Sequence, residues 1–482
     1  MAITSPPAGK KGPLYAAAPR IYPQQISGTF RNIKWAMMVV TLGVYYLLPF
    51  VRWDRGEGAP DQAVLVDLPG RRLYFFFIEI WPQEVYYLTG LLILAALVLF
   101  LMNALAGRIW CGYLCWQTVW TDMFMAVERW VEGDRRGMMK LDKEPFSLRK
   151  ARLKITKHAI WLLIAWWTGG AWVLYFGDAP TIVNDLLHFR ASFDVYLWIA
   201  ILTGTTYLFA GWAREQVCIY MCPWPRIQAA LTDDEALNVT YLRDRGEPNG
   251  SVKTQKKRIE AGEPAGDCID CRQCINVCPT GVDIRKGLQL PCIQCGLCID
   301  ACDAVMTKIG KPVGLITYES EVNVERRDAG LEPVRPKIFR PRTIIYMVVI
   351  AIVTVAMGWS FLTRSSSGMS VLHDRNPLYV NLSDGGIRNG YTIRLLNMKI
   401  KARTFIIEDE GIPDATMTVI GEKKSADGKW KIKVAPDTTR ELRVLLITPK
   451  GAKLDKATPV TFRITEVESG ETTLVGDYFR AP

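Results

Sequence analysis

The chemistry of this 482-residue chain lies in its 12 cysteines, and every one falls into a spaced motif. Eight form two runs, Cys268-x2-Cys271-x2-Cys274-x3-Cys278-Pro279 and Cys292-x2-Cys295-x2-Cys298-x3-Cys302. This is the spacing of bacterial two-cluster ferredoxins, in which three close thiolates wrap one face of a cubane and the fourth is carried away to the other. It predicts two [4Fe-4S] clusters. One takes Cys268, Cys271, Cys274 and Cys302; the other takes Cys292, Cys295, Cys298 and Cys278. Asp303 stands where the second run would have its proline. A zinc site is the competing reading, but zinc takes four ligands, commonly as two separated pairs, not two runs of four. Linked clusters pass single electrons over a short distance and are not by themselves a catalytic centre.

The other four cysteines form two CxxxC pairs, Cys111/Cys115 and Cys218/Cys222. Thiols at i and i+4 share one helical face, and soft thiolates suit Cu(I). Two other readings stand beside redox or metal chemistry: small buried residues at a membrane edge, and disulfides, which a reducing compartment disfavours. Met221 lies between Cys218 and Cys222 and offers a thioether, although Met more often packs; the same holds for Met123 and Met125. Only three histidines occur, His158, His188 and His373. A bis-His haem bundle needs paired intramembrane His, so a b-type cytochrome is excluded, and His158 and His188 read as surface residues. No Gly-rich phosphate loop points to a nucleotide or flavin.

The elements that must position these thiols are mostly apolar. Five runs can cross a bilayer: Trp35 to Val51, Val85 to Gly107, Ala159 to Gly177, Val195 to Ala213, and Thr343 to Thr363. The formal charge of +11 comes from Lys and Arg flanking these runs, so it reads as a topology signal and not as a nucleic-acid footprint. Five basic residues precede the first run and eleven lie in 108–158, against four in 52–84 and one in 178–194. That asymmetry places the N-terminus and residues 214–342 in the cytoplasm, with residues after 364 outside. No cleavable signal peptide is evident, so the first span is expected to act as its own insertion signal. Leu73 to Trp81 is too short to span and reads as an interfacial segment.

Each CxxxC follows a span pair closed by a basic residue, Arg108 or Arg214. The repetition suggests a pseudo-symmetric four-helix unit. Residues 231–266, with the basic run Lys253 to Arg258, read as solvated linker able to touch lipid headgroups. Beyond about 370 the pattern takes period two, as in Trp430 to Val434 and Val460 to Ile464, with turn signals between; six or seven strands predict a β-sandwich. It contains no Cys, which excludes an intersheet disulfide. The expected fold is therefore an integral membrane α-helical protein with five transmembrane helices, a cytoplasmic two-cluster ferredoxin-like domain and a C-terminal all-β immunoglobulin-like sandwich. Its parts are an arm at 1–34, a four-helix unit at 35–230, the ferredoxin-like domain at 231–342, the fifth helix at 343–363, and the sandwich at 364–482.

This order of parts, with Cys111-Gly-Tyr-Leu-Cys115 and Cys218-Ile-Tyr-Met-Cys222-Pro223, resembles the CcoG/FixG/RdxA family of cytochrome c oxidase accessory proteins over nearly the whole chain. The resemblance implies reduction of Cu(II) to Cu(I) for the copper centre of a cbb-type oxidase. By position it makes Cys111, Cys115, Cys218 and Cys222 the copper or redox site. It also implies, as partners, a cytoplasmic electron donor, a copper transporter or chaperone, oxidase subunits and membrane lipid; a homodimer could share a copper site. Trp116 departs from the pattern, lacking the proline seen after Cys222, and makes the two halves inequivalent.

Two other classes of function compete. A quinol–ferredoxin relay, similar to membrane ferredoxins of nitrate and nitrous-oxide respiration, would match the first 300 residues but not the fifth span and the β-domain. A scaffold with structural clusters would keep oxidase maturation when cluster cysteines are replaced. The sandwich shows no catalytic set and reads as a binding domain.

Overall fold

The computed structural model describes residues 20–56, 59–399, 401–452 and 454–482. The first 19 residues of the expected basic arm lie outside the described residues. The chain divides into two compact units, one of residues up to Arg52 with Gln62–Val355, the other of Trp53–Asp61 with Ala356–Pro482.

Among the described residues five helices are long and apolar enough to cross a membrane: Thr29–Phe50, Pro82–Ala106, Leu148–Phe176, Phe193–Ala213 and Pro341–Leu362. All five begin earlier than hydropathy alone indicates, the first and third by the most. The first starts at Thr29, ahead of Trp35, with Arg31 and Lys34 buried in its opening turns. Asp122 explains their burial, pairing with Arg31 at 2.8 Å and with Lys34 at 3.5 Å. The helix supplies no cap of its own; Asp300, from the ferredoxin-like region, accepts the backbone N–H groups of Phe30 (3.2 Å) and Arg31 (2.8 Å). A carboxylate here satisfies orphan donors and complements the helix dipole. The third helix starts at Leu148, capped by Ser147 accepting from Lys150 N–H at 3.2 Å. The fourth widens into π-helical turns over Tyr207–Ala213.

Between the first two spanning helices the segment Leu73 to Trp81 takes part in a small antiparallel sheet, β1 (Val64–Asp67), β2 (Arg72–Phe75) and β3 (Ile78–Ile80). Asp67 accepts the N–H of Gly70 at 2.9 Å and closes the first turn, which lets the alternating residues pair.

The stretch read as solvated linker is also structured. β4 (Asn238–Tyr241) is buried along its length and pairs antiparallel with β5 (Ile316–Glu319), so the two strands bracket the cysteine runs. Val239, Tyr241, Ile284, Ile299, Met306, Leu315 and Ile316 form the core around Cys268, Cys274 and Cys302. The basic run lies on a helix, Val252–Glu260, whose Gln255 amide donates to Pro248 O at 2.8 Å. The linker reading failed because β4 is only four residues long and acquires its partner about 75 residues later.

The second unit is a sandwich of β6 (Ser367–His373), β7 (Val380–Asn381), β8 (Ile387–Asn397), β9 (Arg403–Glu410), β10 (Thr416–Val419), β11 (Trp430–Val434), β12 (Thr438–Thr448), β13 (Ala457–Glu466) and β14 (Thr472–Arg480). One sheet runs β10-β12-β8-β6, with β7 on β8; the other runs β11-β9-β13-β14. Tyr391, Ile393, Phe405, Ile407, Ile432, Val444, Phe462 and Ile464 fill the space between them. Buried Arg403 pairs with Glu466 at 3.0 Å and bonds Asn397 Oδ1 at 2.6 Å.

Candidate functional site

The second spanning helix ends at Gly107, whose φ of +51° suits glycine. A Cβ there would lie 2.4 Å from Asn238 Oδ1 and 2.5 Å from Gln294 Oε1. The helix end therefore abuts the loop of the second cysteine run, and Gln294 Oε1 accepts the N–H of Arg108 at 2.7 Å. The fourth helix ends at Arg214 in the same left-handed region, φ +44° and ψ −119° against +51° and −123° at Gly107. A side chain there is strained. Glu128 Oε2 (2.5 Å) and Gly211 O (2.9 Å) hold its guanidinium in place. Both turns sit four residues before a CxxxC, so Gly107 and Arg214 are the equivalent positions of the repeat, not Arg108 and Arg214.

The CxxxC pairs do not lie on one continuous helical face. Cys111 is in the short helix Ile109–Tyr113, and Cys115 leaves it extended, at φ −64° and ψ +123°, to cap Trp116–Glu132. Cys218 is in the π-helical turn Val217–Met221, and Cys222 leaves it at φ −78° and ψ +123°. Pro223 explains the extended Cys222, because proline disfavours the α region in the residue before it. Cys115 takes the same conformation ahead of Trp116, so the missing proline does not make the two backbones inequivalent.

The thiols of Cys115, Cys218 and Cys222 lie near enough to Cys111 to act on it electrostatically. Burial pushes the Cys111 thiol up to about 12, and the thiols of Cys115, Cys218 and Cys222 add to the rise while Arg108 opposes it. Cys218 is likewise pushed up to about 12 by burial, then by Cys115, Cys222 and Glu215. Cys111 donates to Gln228 Oε1 at 3.2 Å and packs against Ile293, Cys295 and Leu297. Met221 is exposed, whereas Met125 lines a pocket with Cys218, Thr280 and Ile293.

The eight remaining thiols gather in two sets. Around Cys302 lie Cys274, Cys271 and Cys268. Around Cys298 lie Cys295, Cys292 and Cys278, with Cys274 next. Cys278, Cys292, Cys295 and Cys298 line one cavity together with Cys274 of the other set, and Val239, Ile284 and Leu297 add apolar wall. Val282 N–H (3.3 Å) donates to Cys278 Sγ. Burial, reinforced by neighbouring thiols, pushes Cys292 and Cys302 up to about 12. Crowded buried thiols of this kind ionise when iron takes the charge, and the donor set fits a [4Fe-4S] cluster in each cradle. Among the described residues no three His, Cys, Asp or Glu side chains stand close enough to ligate a single ion; a cubane is wider than an ion and is held by thiols set farther apart.

Sequence reasoning missed the charged collar around these motifs. Glu128 is buried and takes Arg20 (2.7 Å), Lys157 (3.2 Å) and Arg214 (2.5 Å); Glu132 takes Lys154 (3.0 Å) and Lys157 (2.8 Å). The i, i+4 spacing of Glu128 and Glu132 was the available signal. His158, read as a surface residue, is half-buried, stacks on Trp212 and bonds Tyr207 at 2.8 Å. His188 is exposed.

Residues 213–321 match the 4Fe-4S dicluster domain family, and residues 88–133, which contain Cys111 and Cys115, match a 4Fe-4S binding domain family. Residues 357–482 match the IG-like fold at the C-terminus of FixG. Nitrogen fixation protein FixG of Rhizobium meliloti is 47% identical over 97% of this chain and 91% of its own length. Protein RdxA of Cereibacter sphaeroides is 48% identical over 94% of each chain. The crystal structure of a FixG-related protein from Vibrio parahaemolyticus aligns with 24% of this chain and 97% of its own, at 22% identity and a TM-score of 0.21. With its ferredoxin cradles, five apolar helices and FixG-type sandwich, the chain belongs to the FixG/RdxA family of iron–sulfur electron-transfer proteins.

Proposed function

We propose that this protein passes electrons from its two clusters to copper, reducing Cu(II) to Cu(I) for the copper centre of a cbb-type oxidase. The observation that carries the reading is the packing of the first CxxxC motif against the loop of the second cysteine run, where Cys111 shares a buried cluster with Ile293 and Cys295, with the thiols of Cys115, Cys218 and Cys222 near enough to Cys111 to act on it electrostatically. Cys111 and Cys295 belong to one packed cluster, so a copper ion held by these thiols is next to an electron source. Thiolates favour Cu(I) over Cu(II) and so draw the reduction forward. No cage of three or more His, Cys, Asp or Glu ligands exists among the described residues, and in this reading the substrate ion is met by fewer than three of these thiols. Cys268, Cys271, Cys274 and Cys302 hold the outer cluster, and Cys278, Cys292, Cys295 and Cys298 the inner one; bound there, each supplies one-electron storage. The excess of Lys and Arg at this end of the spanning helices supports a cytoplasmic ferredoxin-like region in a bacterial inner membrane, with the sandwich on the periplasmic side.

The test is anaerobic mixing of the reduced protein with stoichiometric Cu(II), beside a variant with Ser at 111, 115, 218 and 222. Cluster absorbance reports reoxidation and a Cu(I) chelator reports product. The wild type reoxidises as Cu(I) forms, while the variant keeps its iron content and reacts slowly. Equal rates refute the reading, and iron lost with the four thiols would make them cluster ligands instead.

A quinol relay is the second reading, supported by a cavity of about 560 Å³ lined by His158, Trp161, Trp212, Arg214 and Glu215. Arg214 and Glu215 also line the pocket of Cys218, so the cavity and the thiol pocket share these two residues. Quinol that reduces the clusters without copper chemistry would favour it.

A further inference from the structure

The inner cradle has a charged neighbour that the electron-transfer reading leaves unused. Arg108 is 7% exposed. Its guanidinium donates to the carbonyl oxygens of Leu290, Pro225 (2.7 Å) and, more weakly, Cys292 (3.4 Å). It forms no ion pair with a carboxylate among the described residues. A guanidinium keeps its proton in a protein, and an uncompensated buried charge is costly. The groups of opposite potential charge facing it are the thiols of Cys111 and Cys292. The outer cradle differs. Arg285, the guanidinium beside Cys274, is neutralised by Asp283 (2.9 Å) and Asp270 (2.5 Å). Asp303 stands beside Cys302, and Cys271 is exposed to water.

We propose that Arg108 is a positioning residue for charge: it holds the inner cluster at a higher reduction potential than the outer one and so directs electrons toward the four CxxxC thiols. The step is uptake of one electron, with no bond made or broken, and the reduced state carries one more negative charge. An unpaired positive charge in a dry site stabilises that state more than a neutralised one does. The N–H donated by Val282 to Cys278 Sγ acts in the same sense. The inference rests on the iron–sulfur reading and not on copper.

The test is an EPR-monitored redox titration of the full-length protein, anaerobic and copper-free. Wild type, Arg108→Gln and Arg108→Lys are compared, with Cys271→Ser marking the outer cluster's signal. The wild type shows two separated potentials, the lower belonging to the signal that Cys271→Ser alters. Arg108→Gln lowers the upper potential by a tenfold change in the reduced-to-oxidised ratio, about 59 mV for one electron, and leaves the lower one in place. Arg108→Lys retains the charge and most of the separation. The proposal is overturned if the outer cluster has the higher potential, if Gln and Lys shift it equally, or if Gln shifts neither. Should Arg108→Gln lose its iron, merged potentials in Arg108→Lys overturn it and a retained separation supports it. A correct order of potentials without Cu(II) reduction would sink the copper reading alone.

Discussion

Gly112 sits in the middle of the first thiol motif and offers a way to move the thiols from the inner cluster without touching a ligand. A Cβ added there would lie 2.8 Å from Ile293 O, 3.1 Å from Cys295 Cα and 3.3 Å from Cys295 N. All three are backbone atoms, so no side chain can rotate away. Ordinary contact lies at about 3.5 Å, and Gly112→Ala must push the two segments apart by roughly 0.7 Å at a cost of about 1–3 kcal/mol, the range for overpacking. The displaced segment carries Cys292 and Cys295. The expected outcome is a protein with full iron content, a lowered thermal midpoint, a perturbed EPR signal for the inner cluster only, and slower reoxidation by Cu(II). Gly170→Ala is the control: it lies inside the third spanning helix and its Cβ would meet nothing within 4 Å. A Gly112→Ala protein that matches wild type in midpoint, EPR and rate would refute the claim that thiol motif and cluster loop are in close backbone contact.

The collar carboxylates set an acid limit. Burial alone would raise Glu128, but Arg214, Lys157 and Arg20 outweigh it and hold the carboxyl below its usual range. Asp142 joins the collar by pairing with Arg20 at 2.8 Å and Lys154 at 2.6 Å; there burial is likewise outweighed, by Lys154, Tyr22 and Arg20. Folded values below unfolded ones mean that their stabilisation is complete above the unfolded pKa, near pH 4, and is lost as pH falls through the folded value. Thermal midpoints should be flat from pH 7 to about 5 and fall below about 4; a fall beginning near neutrality would contradict the pairing. Because Cys271 is exposed and Cys295 buried, air should bleach the outer cluster before the inner one, as followed by EPR. In the sandwich, Arg403→Met strands buried Glu466 and should cost about 3–5 kcal/mol of domain stability; chemical denaturation measures it, and a loss below 1 kcal/mol would refute the pairing.

Much of the site was readable because its ligands are close in the chain. The x2 spacings confine three thiols to one turn of backbone, so Cys292, Cys295 and Cys298 had to share a cradle whatever surrounds them. Long uncharged runs likewise identify spanning helices without knowledge of their neighbours. The first helix shows where that reasoning stops. Arg31 and Lys34 read as a polar border, yet they are inside the helix, because Asp122 pairs with both across 88 residues or more of chain. β4 was invisible for a similar reason: Asn238–Tyr241 is too short to carry a period of its own and is a strand only because Ile316–Glu319 lies beside it.

The cysteine spacing and the apolar runs by themselves determined an iron–sulfur protein with five candidate spans, since thiol reach and helix length are local quantities. The extended backbone at Cys115, imposed by no proline, was decided by tertiary structure. So was the gathering of Cys111, Cys115, Cys218 and Cys222, whose two motifs are about a hundred residues apart. The buried Arg108 beside Cys292 belongs to the same class. Whether a charge is neutralised depends on which carboxylates packing brings within a few ångströms, and no spacing along the chain encodes that distance.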